Sequence, residues 1–364
     1  MSIISSPYFD NHENFMVFTD VSVGLQAIIA IHNTFLGPAI GGTRFLHYQD
    51  EQEAIDDVLR LSKSMTYKAA LANLPVGGGK AVILAGPQKN KSPALLKRYA
   101  IQLNTLQGNF ITGEDVGIGP EEIKIMGQVS SFVKGLPEDG SGDPSSITAY
   151  GVFQGMQEAQ KALLGTGNLL GKTVAIQGLG KVGLALARLL HNESVNVVAC
   201  DIDDVRADMA KQELGIEIVD PKAIYDVSAD IFAPCGLGNI LNAKTIPRLR
   251  GRIVAGAANN QLESAEMGRL LQEQRILFAP DYVINAGGLI DVYYSGPCYN
   301  REQVLKKVDE IPQTLAQIFQ KSHLFEEPTN RVADQMAQVR IAENVNTLGG
   351  DRERFNHFFS DNSS

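Results

Sequence analysis

The 364-residue sequence lacks the features that mark membrane, secreted and nucleic-acid-binding proteins. No apolar run reaches the roughly 18 residues of a membrane-spanning helix, and the N-terminus has neither a basic segment nor a long apolar one. Basic residues number 32 against 41 acidic ones, so a positively charged surface for phosphate backbones is not expected. We therefore expect a cytoplasmic protein with no membrane and no nucleic-acid partner.

Cysteine is scarce, and tryptophan does not occur at all. The three cysteines, Cys200, Cys235 and Cys298, are odd in number and far apart, which argues against a disulfide framework and against a metal site. We therefore predict no bound metal. Because 364 residues exceed what one compact core usually holds, two domains are expected.

Apolar segments of strand length alternate with amphipathic ones of helical period, which predicts an α/β fold. In the first half we predict a glycine-rich loop at Gly37–Gly42, a helix from Asp50 to about Lys68, and a strand that begins at Lys80. In the second half the pattern predicts a doubly wound sheet. Its strands are predicted at Thr173–Gln177, Asn196–Asp201, Ala229–Ala233 and Arg252–Gly256.

The stretch Pro137–Ser146 is rich in Gly, Pro, Ser and Asp, and predicts a linker between the two domains. It divides the chain into a first α/β domain at residues 1–145 and a second, doubly wound domain at residues 146–329. The polar tail Asp351–Ser364 is predicted to fray.

The sequence Gly178-Leu-Gly-Lys-Val-Gly183 has the context of a dinucleotide-binding turn. It follows a predicted strand, opens a predicted helix, and is followed by Asp201, 23 residues after Gly178. A tight turn that binds nothing is the alternative. Asp201 can accept hydrogen bonds from ribose hydroxyls and would repel a 2′-phosphate, which favours NAD over NADP.

Two lysines, Lys68 and Lys80, lie twelve residues apart around a run of three glycines, and Asp115 follows 35 residues after the second. A lysine that enters an apolar strand is costly unless it is paired or functional. A desolvated lysine can transfer protons near neutral pH. The pattern therefore indicates a site for an anionic substrate. The alternative is that the same residues form a structural Lys–Asp ion pair.

These residues belong to segments that resemble the glutamate, leucine, phenylalanine and valine dehydrogenase superfamily, and most closely its leucine, phenylalanine and tryptophan enzymes. The matching segments are Gly37–Arg44, Ser64–Lys68, Gly77–Lys80, Gly113–Gly117, Ile147–Gly151, Gly178–Gly183, Ala233–Gly238, Gly256–Gln261 and Pro280–Gly288. The resemblance implies an NAD-dependent enzyme that reversibly deaminates an L-amino acid to a 2-oxo acid and ammonia. It also implies a homo-oligomer, from dimer to octamer. The first domain, residues 1–145, would bind the substrate and form the oligomer, and C-terminal helices at 330–364 would complete it. The second, residues 146–329, would be a Rossmann domain for NAD, separated from the first by a cleft.

The resemblance also implies residue roles. Lys80 and Asp115 would be catalytic, and Lys68, with the backbone of Gly41 and Gly42, would bind the substrate carboxylate. The other substrate-binding residues implied are Ile40, Met65, Gly113, Asn260, Leu289 and Val292. The cofactor-binding residues implied are Thr148, Gly178, Gly180, Lys181, Val182, Gly183, Asp201, Ile202, Ala233, Pro234, Asn259 and Asn285.

The side-chain pocket implied by the resemblance contains Ile40, Gly113, Leu289 and Val292 and no cation, so an apolar amino acid is expected. Leucine enzymes usually carry alanine at the position of Gly113 and valine at that of Leu289, which favours an aromatic substrate such as Phe or Trp here. A leucine or branched-chain amino acid dehydrogenase is the alternative.

The sequence disfavours two other functions. An inactive NAD-binding regulator should have lost Lys68, Lys80 or Asp115, and all three are present. A dehydrogenase of 2-hydroxy acids typically uses a histidine as proton acceptor, and none of the six histidines lies in a glycine-rich site segment.

Overall fold

The computed structural model describes residues 3–86, 91–136, 140 and 142–348. The predicted linker Pro137–Ser146 lies partly outside these residues, and the predicted frayed tail Asp351–Ser364 lies wholly outside them. No helix of the described residues is both long and apolar enough to cross a membrane.

Strands and helices alternate over most of the described chain, as predicted. The strands are β1 (Asn14–Asp20), β2 (Leu25–Asn33), β3 (Ala39–Leu46), β4 (Gly77–Leu84), β5 (Phe110–Gly113), β6 (Thr173–Gln177), β7 (Asn196–Cys200), β8 (Glu217–Ile218), β9 (Ile231–Pro234), β10 (Ile253–Val254) and β11 (Leu277–Phe278). The helices are α1 (Glu51–Leu71), α2 (Pro93–Thr105), α3 (Pro120–Gly127), α4 (Ser145–Leu164), α5 (Lys181–Asn192), α6 (Asp204–Leu214), α7 (Glu266–Glu273), α8 (Asp281–Ile284), α9 (Gly287–Tyr294), α10 (Arg301–Val308), α11 (Ile311–Phe325) and α12 (Thr329–Leu348).

The chain divides by its contacts into two compact units. The first holds the described residues of Met1–Gly142, Ser295–Tyr299 and Met336–Ser364, and the second those of Asp143–Tyr294 and Asn300–Gln335. Each unit has a sheet of its own, and the α/β fold class predicted from the sequence is confirmed.

The sheet of the first unit has the order β1-β2-β4-β3-β5. β3 runs parallel to both β4 and β5, whereas β2 is antiparallel to β1 and β4. The helices α2 and α3 cover one face through a core that includes Tyr99 and Phe110. The helix α1 covers the other face through Val58 and Leu59. This is the arrangement expected of strands whose side chains are buried on both faces.

The long helix α1 is fixed at both ends. At its start the side chain of Asp50 accepts a hydrogen bond from the amide of Glu53 at 2.8 Å. At its end Arg340 of α12 donates to the carbonyls of Ala70 and Leu71 at 3.2 and 3.0 Å. A cation from a distant part of the chain therefore binds the carbonyl end of α1, where the helix dipole favours positive charge.

In the second unit the described strands form a sheet of order β11-β10-β9-β6-β7-β8, in which each strand runs parallel to its neighbours. In chain order its strands therefore extend from β6 outward to β8, and then from β9 outward to β11 on the other side. The strand order reverses between β6 and β9, which is where a doubly wound sheet forms its ligand crevice.

The predicted loop at Gly37–Gly42 is wrong in its second half, because β3 begins at Ala39. The strand predicted from Lys80 likewise begins three residues earlier, at Gly77. The reason is close packing: a Cβ on Gly41 would lie 1.8 Å from the carbonyl oxygen of Gly79, and one on Gly78 would lie 2.0 Å from the amide of Thr66. Glycine here allows two strands and a helix to approach, and does not mark a turn.

Candidate active site

Lys80 and Asp115 form a buried ion pair in the first unit. Lys80 lies within β4 with only 5% of its surface exposed, and its Nζ donates to Oδ2 of Asp115, which follows the end of β5 by two residues. The other carboxylate oxygen accepts from the amide of Val116 at 2.6 Å and from Nε of Arg44 at 3.1 Å. The two residues that were predicted to be catalytic are therefore in direct contact.

The charges around Asp115 keep its carboxylate ionised. Burial alone would raise the pKa of Asp115, but the positive charges of Lys80 and Arg44, together with the hydrogen bonds from Lys80 and from the Val116 amide, hold it well below its ordinary value. At neutral pH Asp115 is therefore ionised and accepts hydrogen bonds from Lys80, from Arg44 and from the Val116 amide.

Helix α1 brings two further predicted residues to the same sheet. Thr66 of α1 lies against Gly78 of β4 so closely that a side chain on Gly78 would overlap it. Met65 and Lys68 flank this contact, three residues apart and thus on neighbouring helix positions. Lys68 is buried, with 9% of its surface exposed, which is unusual for a lysine.

Four predicted residues lie at the β3–β5 edge of this sheet. Ile40 is buried and pairs with Ile111, while Gly41 and Gly42 pair with Thr112 and Gly113. A Cβ on Gly42 would lie 2.3 Å from the carbonyl oxygen of Glu114, so this glycine is required by the approach of the Asp115 loop. Gly113 differs, because a Cβ there would meet only the Lys134 carbonyl oxygen, at 3.6 Å.

In the second unit the glycine turn has the geometry that was predicted for it. Gly178 has φ +100°, in the region that favours glycine, and a Cβ on Gly183 would lie 2.0 Å from the Gly178 carbonyl oxygen. Gly180 is the N-cap of α5 and has open space where a side chain would be. The turn is thus tight at its first and third glycines and open at its second, as an approaching pyrophosphate requires.

Asp201 follows β7 and binds the glycine turn directly. Its Oδ2 accepts from the Leu179 amide at 2.6 Å and its Oδ1 from the Asp203 amide at 2.9 Å. The next side chain, Ile202, is 86% exposed. On α5, Val182 is partly buried, and Lys181 forms an ion pair with Asp143 at 3.0 Å. An exposed apolar side chain beside the aspartate provides a surface on which an adenine could rest.

The remaining cofactor candidates lie at the end of β9, in the segment after β10, and at the end of α8. Pro234 ends β9 next to Ala233 and accepts a hydrogen bond from the Ala258 amide at 2.8 Å. Asn285 donates to the Asn259 side chain at 2.8 Å. Its own Oδ1 is buried with no hydrogen-bond partner among the described residues, so it is an acceptor open to a ligand.

Thr148, Leu289 and Val292 come together around the start of α9. A Cβ on Gly288 would lie 2.9 Å from Oγ1 of Thr148, so α4 and α9 touch at this point. Leu289 is buried, and Val292, three residues later on α9, is partly buried. Asn260, which precedes the buried Gln261, has φ +52°. These residues all belong to the second unit.

Together the open Gly180, the N-terminus of α5, Asp201 and the unsatisfied oxygen of Asn285 fit a bound dinucleotide. Among the described residues, no group of three or more His, Cys, Asp and Glu side chains could hold a metal ion.

Sequence reasoning missed the charged residues behind Asp115. Arg44 bridges Asp115 to Asp57 of α1, which lies 2.8 Å from its Nη1. Asp57 also accepts from Tyr48 at 2.9 Å and from Arg60 at 3.1 Å. Arg44 closes one of the segments that carried the family resemblance, so its side chain was visible as a candidate, but its partner on α1 was not.

A doubly wound parallel sheet with a glycine turn at its switch point is the architecture typical of dinucleotide-binding enzymes. Comparison with known sequences gives the family. The description "Glu/Leu/Phe/Val dehydrogenase, dimerisation domain" matches residues 13–131, and "Glutamate/Leucine/Phenylalanine/Valine dehydrogenase" matches residues 140–206 and 201–349. The chain belongs to this family of amino acid dehydrogenases, which confirms the resemblance and the prediction of an enzyme.

Three relatives cover nearly the whole chain. A leucine dehydrogenase of Thermoactinomyces intermedius is 46% identical over 333 residues, 91% of each chain. A phenylalanine dehydrogenase of Caldalkalibacillus thermarum is 44% identical over 369 residues, covering 99% of this chain and 97% of its own. The crystal structure of L-tryptophan dehydrogenase from Nostoc punctiforme has a TM-score of 0.80 and 44% identity, covering 92% of this chain and 97% of that one. Relatives of this kind support a dehydrogenase of apolar amino acids.

Proposed function

We propose that the protein catalyses the NAD-dependent, reversible oxidative deamination of an apolar L-amino acid to its 2-oxo acid and ammonia. The observation that carries this proposal is the buried Lys80–Asp115 pair, in a first unit where Lys68 is also buried. Deamination requires a cation for the substrate carboxylate, a proton donor for a developing oxyanion, and a group that exchanges protons with the amino group. Lys68, Lys80 and Asp115 are of these three types.

Each of these residues has a place in the proposed mechanism. Lys68, with the backbone of Gly41 and Gly42, binds the substrate carboxylate. Asp115, ionised because of Lys80 and Arg44, accepts a proton from the substrate amino group. After the hydride has left Cα, Lys80 orients the water that attacks the imino carbon and stabilises the oxygen of the resulting carbinolamine. One proton of this water passes to the amino nitrogen, which leaves as ammonia, and the hydroxyl proton is released as the carbonyl of the oxo acid forms.

In the second unit the proposed cofactor is NAD, which accepts the hydride from the substrate Cα. Gly178, Gly180 and Gly183 shape the pyrophosphate turn, flanked by Lys181 and Val182, and Asp201 holds the adenosine ribose. Thr148, Asn259 and Asn285 orient the nicotinamide, with Ala233 and Pro234 beside the crevice, and Asn260 orients the substrate amino group. NAD is preferred over NADP because the Asp201 carboxylate, followed by Asp203 and Asp204, would repel a 2′-phosphate.

For the substrate side chain we propose an aromatic group, Phe or Trp, with leucine as the competing candidate. The aromatic choice is supported by Gly113, which leaves unfilled the space of one methyl group. Leucine is supported equally well by the relatives, whose names include leucine, tryptophan and phenylalanine dehydrogenases. Ile40, Met65, Leu289 and Val292 supply apolar surface for either.

We further propose that the protein works as a homo-oligomer through its first unit. The support is the family description of residues 13–131 as a dimerisation domain. Light scattering coupled to gel filtration would give the subunit number, and a monomeric mass at micromolar concentration would contradict this part of the proposal.

The function is tested by following NADH formation at 340 nm and alkaline pH with L-Leu, L-Val, L-Phe, L-Trp and L-Glu. Turnover confined to the apolar substrates is expected. Turnover with none of them, in a protein that binds NAD, would contradict the proposed activity. A kcat/KM for leucine at least about tenfold above those for Phe and Trp would contradict the aromatic preference alone.

The role of Lys80 is tested by Lys80→Ala. We expect kcat to fall by about 100-fold or more, because an amine placed at the reacting oxygen is lost, while NAD binding measured by calorimetry persists. Lys91→Ala is the matched control, since Lys91 pairs with Glu122 at 2.9 Å in a half-exposed position. Wild-type turnover in Lys80→Ala would refute the mechanism.

A further inference from the structure

We propose that Arg44 is a positioning residue of this enzyme: anchored by Asp57, it fixes the orientation of the Asp115 carboxylate and keeps it available as proton acceptor. The inference rests on the function proposed above and assigns a role to two residues on the side of Asp115 away from Lys80.

The geometry places Arg44 as a bridge between two carboxylates. Its Nε donates to Oδ1 of Asp115 at 3.1 Å, and its Nη1 donates to Oδ2 of Asp57 at 2.8 Å. The side chain of Arg44 is 16% exposed and that of Asp57 is 10% exposed, so solvent weakens these contacts little. Because the guanidinium is planar and rigid, the position of Asp57 dictates the plane in which Asp115 is held.

The two oxygens of Asp115 consequently have different tasks. Oδ2 meets Lys80, the group that acts on the substrate oxygen, whereas Oδ1 is occupied by Arg44 and the amide of Val116. The Arg44 contact therefore fixes rotation of the carboxylate about its Cβ–Cγ bond and leaves only the Oδ2 side for proton exchange. Without Arg44, Oδ1 would keep only the Val116 amide, and the carboxylate would lose the one side chain that holds it from the β3 side.

Arg44 also bears on the charge of Asp115. The charged and titratable groups around Asp115 are Lys80 of β4 and Arg44 of β3, and behind Arg44 lie Tyr48, with Asp57 and Arg60 of α1. Burial acts to raise the pKa of Asp115, and two cations oppose it. With Arg44 removed, one cation is left, so the pKa of Asp115 must rise toward its ordinary value.

The test compares wild type, Arg44→Gln and Arg44→Lys, with the preferred amino acid found in the substrate panel. In Arg44→Gln we expect kcat to fall by about 10- to 100-fold with KM for the amino acid changed less than about threefold. In Arg44→Lys the positive charge returns but the planar bridge to Asp57 does not, so kcat should remain low, again with little change in KM.

Two more variants separate positioning from a general loss of structure. Asp57→Asn should give a weaker form of the Arg44→Gln defect. Arg60→Gln removes the other arginine that Asp57 binds, at 3.1 Å, and should leave kcat unchanged, because among the described residues Arg60 pairs with Asp57 and not with Asp115. A folded Arg44→Gln enzyme with wild-type kcat, or one in which KM rises as much as kcat falls, would overturn the proposal. Absence of turnover in the wild type would instead refute the underlying activity.

Discussion

Replacing Gly113 by alanine should shift the substrate preference toward smaller side chains without harming the fold. Among the described residues other than its chain neighbours, the new Cβ would meet the Lys134 carbonyl oxygen at 3.6 Å and nothing nearer, which is an ordinary van der Waals contact. The backbone of Gly113 is not in the left-handed region, so alanine fits there without strain. Such a change stabilises a protein by about 0.4–1 kcal/mol, because the unfolded chain loses freedom.

The effect on specificity follows from the size of one methyl group. In an apolar pocket a methylene changes discrimination by about 1–3 kcal/mol, and about 1.4 kcal/mol corresponds to a factor of ten. If Gly113 faces the substrate side chain, the ratio of kcat/KM for Trp or Phe to that for Leu should fall by about tenfold or more. The ratio is obtained from NADH formation at 340 nm, and the stability from scanning calorimetry.

Gly42→Ala is the matched control, because Gly42 pairs with Gly113 across β3 and β5. There a Cβ would lie 2.3 Å from the Glu114 carbonyl oxygen and 2.9 Å from Cβ of Asp115, so the same substitution should destabilise the protein and lower kcat. A Gly113→Ala enzyme with full stability and an unchanged substrate ratio would show that position 113 does not face the substrate side chain, and would remove the structural support for the aromatic preference.

Two further predictions concern the cofactor and the effect of acid. Asp201→Asn keeps an acceptor for the Leu179 amide but removes the negative charge, so kcat/KM with NADP relative to NAD should rise by about tenfold; an unchanged ratio would show that this charge does not select the cofactor. His32 is buried, and desolvation, aided by nearby His12, lowers its pKa from 6.5 to about 4, so it is neutral when folded and protonates more readily when unfolded. The contribution of His32 to the free energy of unfolding should therefore be fully present above pH 6.5, and should fall by up to about 3 kcal/mol as the pH drops toward 4. In His32→Gln the urea midpoints at pH 7 and pH 4.5 should lie closer together than in the wild type. Equal differences between the two midpoints in variant and wild type would show that His32 does not cause the loss of stability in acid.

The second unit could be predicted well because its signals are local. The turn at Gly178, its φ of +100° and the tight fit at Gly183 depend on one strand, one helix and the residues between them. Asp201 lies at the end of the neighbouring strand and was found by spacing alone. A motif in which sequence neighbours are also spatial neighbours can be recognised without the rest of the fold.

The first unit was harder to predict because segments distant in sequence pack against its glycines. Gly41 was assigned to a loop and Gly78 was left outside the strand that was predicted to begin at Lys80. In the structure Gly41 packs against Gly79, and Gly78 packs against Thr66. Whether a glycine run is a loop or a closely packed strand depends on what packs against it, and the run itself does not reveal that. The Arg44–Asp57 contact was missed for the same reason, since no spacing rule connects β3 to a single aspartate on α1.

The contact between α1 and α12 has a consequence for how the protein is made. Gln338 donates to the hydroxyl of Tyr67 at 3.0 Å, across a sequence separation of 271 residues. At about 5–20 residues per second, a ribosome needs between about 14 and 54 s to synthesise that separation. During this interval the second unit is synthesised up to Gln335, but the first cannot be completed, and the contact of Gln338 with Tyr67 cannot form. The first unit of a nascent chain can therefore be completed only after α12 has been synthesised.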